Sequence, residues 1–338
     1  MTHHQLMAAR RKLLLVAAAS FGLMAARIVG AQPSGTDTQD TAPPLQTLRI
    51  GFQKSAVNLV ILKQQGALEK RFPAAKVQWV EFPAGPQLLE ALSVGSLEFG
   101  LTGDSPPVFA QAAGKDLLYV GAEPAKPFSS AVLVTEGSAL RTLADLKGTR
   151  VALQKGSSAH YLLVRAVDKA GLQWSDITPI YLAPADARAA FEKGAVDAWV
   201  IWDPFYAATE LAIKPRVLAT GKGLSSNNSF YLASKPFALE HPQAVQALLG
   251  ELTRADAYVQ SNRKEASQLV SDFSGLSLAT VHLFISRRPP SPAGALTPAI
   301  TADQQRVADA FLKLELIPRR VEVAQIVWQP ARTSVAAR

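Results

Sequence analysis

The sequence predicts an α/β protein of two lobes, each lobe a parallel-dominated sheet covered by helices. Three observations lead there. From Leu48 onward, short apolar runs rich in Val, Ile, Leu and aromatic residues alternate with segments whose apolar residues recur at helical spacing, the order that yields parallel sheets. Successive strands end in Gly-containing turns that open helices, so helix N-termini gather along one edge of each sheet and make it a place for an anion. Once an export signal is set aside, about 300 residues remain, more than a single core usually spans.

The N-terminus reads as that signal. Arg10-Arg11-Lys12 precedes the apolar run Leu13 to Ala26, and Val29-Gly30-Ala31 supplies small residues for cleavage before Gln32. The run is too short for the roughly 20 residues a spanning helix needs, and Arg27 interrupts it. Residues 1–31 are therefore expected to be removed on export to the periplasm. With no cysteine in the chain, neither a disulfide nor a lipidated N-terminus is expected. The net charge of +8 is partly the signal's, because Arg10, Arg11, Lys12 and Arg27 fall in it with no acidic residue, leaving 31 basic against 27 acidic side chains. That mild, unclustered balance gives no warrant for a nucleic-acid partner. Residues 32–46 are polar and Pro-rich and read as a flexible lead-in; 331–338 read as a tail.

Leu48 to Phe52 reads as a strand, Val57 to Phe72 as a helix, and Val77 to Phe82 as a buried strand closed by Pro83-Ala84-Gly85-Pro86. A helix carrying Leu88, Leu89, Leu92 and Val94 stops at Gly95, and Leu97 to Leu101 makes the next strand. It ends in Thr102-Gly103-Asp104-Ser105, with Pro106 where a first helical residue belongs, a helix over 107–113 and a strand over 117–122. Residues 123–130 break the rhythm, and Ala131 to Thr135 resumes it in a second lobe. There a strand at Arg150 to Leu153 leads through Gln154-Lys155-Gly156-Ser157-Ser158 into a helix over 159–170. A strand over 178–182, a helix over 185–193 and a strand over 198–201 follow, ending in Trp202-Asp203-Pro204. Residues 236–330 read as helix-rich, with a Pro-rich loop over 291–298.

A solute-binding protein is built this way. The segments FPAGPQLLEAL (82–92), TGDSPPVFAQAAG (102–114), LKGTRVALQKGSSAHYLL (146–163), PADARAAFEKGAVDAWVIWDPF (184–205) and FYLASKPFALEHP (230–242) together resemble the aliphatic sulfonate-binding proteins of ABC importers and, more loosely, their taurine- and nitrate-binding relatives. The resemblance runs from about residue 48 to 318. It implies the second type of periplasmic binding-protein fold, with two hinge crossovers near residues 128–134 and 227–234 and a ligand cleft between the lobes. On that basis lobe I comprises 47–130 and 232–330 and lobe II comprises 131–231. It further implies a monomer that delivers an organic sulfonate to an inner-membrane ABC permease, with no cofactor and no catalytic role.

The chemistry of the loops fits such a ligand. A sulfonate is a permanent anion with three acceptor oxygens and no proton to give, so it is served by backbone N–H groups, hydroxyls and helix N-termini. Gln53, Gly85, Pro86, Asp104, Ser105, Ser157, Ser158 and His160 are the candidates from the loops, with plain helix capping as the competing role for each serine. His160, at a helix start, is expected to be neutral and to donate a hydrogen bond, whereas Lys155 is expected to be a solvated charge. Trp199 and Trp202 lie three apart on a strand and so face opposite ways; Trp202 is placed on the cleft, against the ligand's tail, and Trp199 in the core. Asp203 would repel a bare sulfonate and could accept from a ligand amine or a structural donor.

Catalysis has less support. There is no thiolate nucleophile, and neither HExxH nor GxSxG occurs. Ser105, His160 and Asp203 could be written as a triad from three loops, and a related fold serves some cofactor-precursor enzymes, so an enzyme stands as the minor alternative beside binding of taurine, nitrate or another small anion.

Overall fold

A computed structural model describes residues 44–330. The expected signal, most of the lead-in and the tail lie outside the described residues. In chain order the strands are β1 (Thr47–Phe52), β2 (Lys76–Glu81), β3 (Phe99–Gly103), β4 (Leu117–Glu123), β5 (Ser130–Val134), β6 (Arg150–Leu153), β7 (Thr178–Tyr181), β8 (Ala198–Trp202), β9 (Arg216–Thr220) and β10 (Ser229–Ser234). The helices are α1 (Val57–Gln64), α2 (Ala67–Arg71), α3 (Gly85–Ser93), α4 (Ser105–Ala112), α5 (Ser158–Lys169), α6 (Pro184–Glu192), α7 (Phe205–Ile213), α8 (Lys235–Glu240), α9 (Pro242–Ser261), α10 (Arg263–Ser274), α11 (Leu278–Ser286) and α12 (Pro298–Lys313).

The strands form two five-stranded sheets, β2-β1-β3-β10-β4 and β7-β6-β8-β5-β9. In each, the strand that arrives from the other lobe runs against its neighbours: β10 is antiparallel to β3 and β4, and β5 to β8 and β9. The remaining pairs are parallel. The chain passes between the sheets through residues 124–129 and again through 221–228. The two connections are bonded side by side, Lys126 N–H donating to Ser226 O (2.9 Å) and Asn227 Nδ2 to Lys126 O (3.1 Å).

Alternation along the strands sends residues to two faces. In the first sheet Leu48, Ile50 and Phe52 meet α1, α9, α10 and α11 on one side, while Tyr119, Phe230 and Leu232 meet α3, α4 and α12 on the other. The second sheet has its own core around Val132, Leu153, Phe191 and Trp199.

Two local expectations change. The helix expected over 57–72 is two helices, because Gly66 sits at φ 57° and ends the first. The helix expected over 107–113 starts at Ser105, with Pro106 and Pro107 in the first turn, where a missing N–H costs nothing. Both α4 and α5 thereby begin at the facing edges of the two sheets, and the lobes touch there: a Cβ on Gly103 would lie 1.9 Å from Ser158 Oγ, so any side chain at 103 would force Ser158 to move.

Candidate functional site

The C-terminal ends of the strands from both sheets enclose a cavity between the lobes of about 60 Å³, room for roughly four to six water-sized groups. Six of the residues anticipated from sequence line it. Gln53 follows β1 and holds itself in place by donating Nε2 to Leu101 O (3.2 Å). Gly85 opens α3, and Ser157 and Ser158 stand at the start of α5. Ser157 Oγ donates back to Gln154 O (2.7 Å) and makes no cap bond, so a cap role does not account for it. Trp202, at the end of β8, sets its ring edge-on to Phe205, with centroids 6.1 Å apart at 88°. Asp203 accepts from Ala207 N–H (3.0 Å) and from Arg287 Nη1 (3.1 Å).

The other four do not reach the lining. Pro86 is one residue into α3, behind Gly85. Asp104 is buried and takes hydroxyl bonds from Ser105 (2.9 Å) and Ser225 (3.4 Å), which commits Ser105 to the fold. Burial pushes the Asp104 carboxyl up to about 6 despite hydrogen bonding to Ser105 and Ser158. His160 is caged by Phe109, Trp174, Tyr181 and Phe311, with ring centroids 5.1 to 6.0 Å away. Its Nδ1 accepts from Gly156 N–H (3.2 Å), while the buried Nε2 has no partner. His160 is thus an acceptor where a donor was expected. Lys155 is exposed, over the Tyr181 ring at 5.4 Å. Ser105, His160 and Asp203 make no bond to one another, and no triad is assembled.

Two cations that sequence reasoning did not single out complete the lining, Lys126 and Arg288, 8% and 4% exposed. Between them lies Glu123, which meets Lys126 Nζ at 2.9 Å and two Arg288 nitrogens at 3.2 Å each, and takes the Tyr231 hydroxyl at 2.7 Å. Burial alone would raise the Glu123 carboxyl, but Arg288 and Lys126 outweigh it and hold it down at about 2. Lys126 is lowered, chiefly by burial. Asn227, Ser229 and Thr102 add neutral donors, and Phe284 an apolar wall. The neighbouring Arg287, from the end of α11 on lobe I, reaches the other lobe: it pairs with Asp203 and Glu210 and stacks at 3.9 Å over Tyr206. Burial raises the Asp203 carboxyl to about 7 even beside that guanidinium. Buried cations, helix N-termini and hydroxyls around a small space, with Trp202 on one wall, suit a small anionic head joined to an organic group.

The His160 cage sets a pH dependence. Burial, with Lys155 second, lowers the imidazole from 6.5 to about 3. A folded-state pKa below the unfolded one means that the unfolded chain binds the extra proton, so stability present above pH 6.5 is lost as pH falls toward 3. Between pH 7 and 5 this group alone should cost about 2 kcal/mol. Denaturant titrations of wild type and His160→Gln at both pH values check it; equal losses in the two would refute it.

Two lobes joined by two crossovers, with a polar cavity at the meeting edges of their sheets, define a solute-binding protein of the periplasmic type. Residues 76–266 match the family described as NMT1/THI5 like. The chain is 48% identical over 287 residues (85% of this chain, 90% of the relative) to an Escherichia coli (strain K12) protein named for aliphatic sulfonate binding. Its fold superposes on the alkanesulfonate-binding protein SsuA from Xanthomonas axonopodis pv. citri bound to MOPS with TM-score 0.82 at 50% identity, covering 85% of this chain and 99% of that one. It superposes on the periplasmic aliphatic sulphonate binding protein SsuA from Escherichia coli with TM-score 0.79 at 49% identity, covering 85% and 93%. The chain belongs to the NMT1/THI5-like family and, within it, to the aliphatic sulfonate-binding proteins. Among the described residues no helix is long and apolar enough to cross a membrane.

Proposed function

We propose that this protein is exported to the periplasm, captures organic sulfonates in the cavity between its lobes, and delivers them unchanged to an ABC permease in the inner membrane. One observation carries the reading: two buried cations, Lys126 and Arg288, share a cavity of head-group size with Trp202. The sulfonate oxygens would take bonds from Arg288, Lys126, Ser157, Ser158 and the first N–H groups of α3 and α5, and the first carbon would lie against Trp202. Gln53 and Asn227 would orient the head. With Glu123 already neutralising one of the two cations, the cavity suits a single negative charge better than two.

Mature protein should therefore be stabilised by alkane- and arylsulfonates more than by sulfate or nitrate. At a hundred times the dissociation constant the gain is about 2.7 kcal/mol, roughly 5 °C in midpoint. A thermal-shift series measures it. An equal or larger shift with sulfate or nitrate would overturn the sulfonate reading, a preference for taurine over plain alkanesulfonates would narrow it to amino sulfonates, and conversion of the ligand on prolonged incubation would overturn delivery unchanged.

A further inference from the structure

We infer that Arg287, which lies outside the cavity lining, is the positioning residue that makes the cavity fit for an anion: as the lobes meet it binds Asp203 across the cleft, cancelling the carboxylate in the cavity wall, and by the same bonds it latches the lobes shut. The inference deepens the sulfonate reading above and rests on it. Asp203 is the one carboxylate among the described residues that line the cavity, and a carboxylate facing a sulfonate is repulsive. Its own lobe does not relieve it: the Ala207 N–H is a neutral donor, and Glu210, its charged neighbour on α7, is also acidic. The cation comes from the other lobe. Arg287 stands at the C-terminal end of α11, and its Nη1 reaches both Asp203 oxygens, at 3.1 and 3.4 Å. Nη2 donates to Glu210, and the guanidinium lies 3.9 Å over the Tyr206 ring.

This contact sits in a packed surface, since Ala207 of α7 and Phe284 of α11 join one apolar cluster. Parting the lobes takes Arg287 from all three partners at once, so an open cleft shows an anion an unpaired Asp203 and a closed cleft does not. An anion thereby favours closure through Arg287 as well as through its own bonds. Lys126 and Arg288 do not take this role, because Glu123 already engages both. The charged and titratable groups facing Asp203 are Arg287 after α11, Glu210 and Tyr206 on α7, and Lys126 and Arg288 on the cavity. Burial holds the Asp203 carboxyl at about 7, and loss of Arg287 would lift it further. At pH 6 the group is then neutral and tolerates an anion with or without Arg287. At pH 9 the wild type has an ion pair, whereas a chain lacking Arg287 must either take up a proton or repel the ligand.

The test is calorimetric titration of methane- and butanesulfonate into mature wild type, Arg287→Gln, Asp203→Asn and the double variant at pH 6 and pH 9. Arg287→Gln should weaken both ligands alike, by about threefold at pH 6, where only the bonds to Glu210 and Tyr206 are lost, and by about thirtyfold at pH 9. In the Asp203→Asn background, where asparagine still accepts from the Ala207 N–H, the same change should cost about threefold at both pH values. Each comparison is a ratio between two proteins that share Lys126, so its titration cancels. Arg287→Lys, which keeps the charge, should recover most of the loss at pH 9. Unfolding curves establish that each variant is folded, and Arg287→Met, which keeps the stem over Tyr206, takes the place of Arg287→Gln where glutamine does not fold. An equal loss at both pH values, or the same loss with and without the Asp203 carboxylate, would reduce Arg287 to a structural brace and overturn the inference while sulfonate binding stands. A wild type that binds neither sulfonate would overturn the sulfonate reading itself.

Discussion

Replacing Glu123 by glutamine should lower the stability of the unliganded protein by about 3 kcal/mol at pH 7. The size follows from the carboxyl's displacement, from the ordinary 4.5 to about 2, which Arg288 and Lys126 enforce against burial. A depressed carboxylate stabilises above its unfolded pKa, so the contribution is present above pH 4.5 and lost as pH falls toward 2. Glutamine keeps the shape and can still accept from the Tyr231 hydroxyl, but it leaves Lys126 and Arg288 facing each other with only the more remote counter-charges of Asp256, 3.9 Å from Arg288, and of Asp104 near Lys126. An uncompensated buried charge of this kind is costly. A bound sulfonate would supply the missing negative charge, so ligand should recover part of the loss and stabilise Glu123→Gln more than wild type. Urea unfolding of both proteins with and without butanesulfonate measures each part. A loss under 1 kcal/mol would mean that Glu123 does not hold the two cations in place.

The reach of the sequence follows from which forces act locally. Strand and helix positions were legible because apolar periodicity and Gly or Pro punctuation are local signals, and the alternation over 48–122 and 150–201 translated directly into the two sheets. The direction of β5 and β10 was not, since an apolar run reads the same whichever way its neighbours point. Trp199 and Trp202 could be separated because the period of a strand is two. Lys126 and Arg288 escaped notice for a different reason: lysine and arginine are ordinarily exposed, and the partner that keeps Arg288 buried lies 165 residues away in the chain. Asp104 and Ser105 were visible as polar residues at a helix start, but the bond that Asp104 accepts from Ser225, in the second crossover, is tertiary. The His160 cage is likewise gathered from four distant positions.

Trp199→Ala should cost about 3–5 kcal/mol of stability, the range for removing a large aromatic from a packed core. Trp199 is fully buried on the face of β8 opposite Trp202, with its ring 5.8 Å from Phe191 in the core of the second sheet. Its indole Nε1 is buried without a hydrogen-bond partner. What the residue contributes is therefore volume and contact rather than a bond, and the N–H is a cost the fold already bears. Trp199→Phe should then lose less than 1.5 kcal/mol, since it keeps most of the ring and removes the unpaired donor. Because the side chain points away from the cavity, the dissociation constant for butanesulfonate should stay within about twofold in both variants. Trp202→Ala, on the cavity side, should reverse the pattern, weakening butanesulfonate far more than methanesulfonate at a smaller cost in stability. Urea unfolding and calorimetric titration on the three variants decide the matter. A Trp199→Phe loss as large as that of Trp199→Ala would show that the indole nitrogen has a partner, and a Trp199→Ala protein that folds stably but no longer binds butanesulfonate would place that ring, against its burial, in the binding wall.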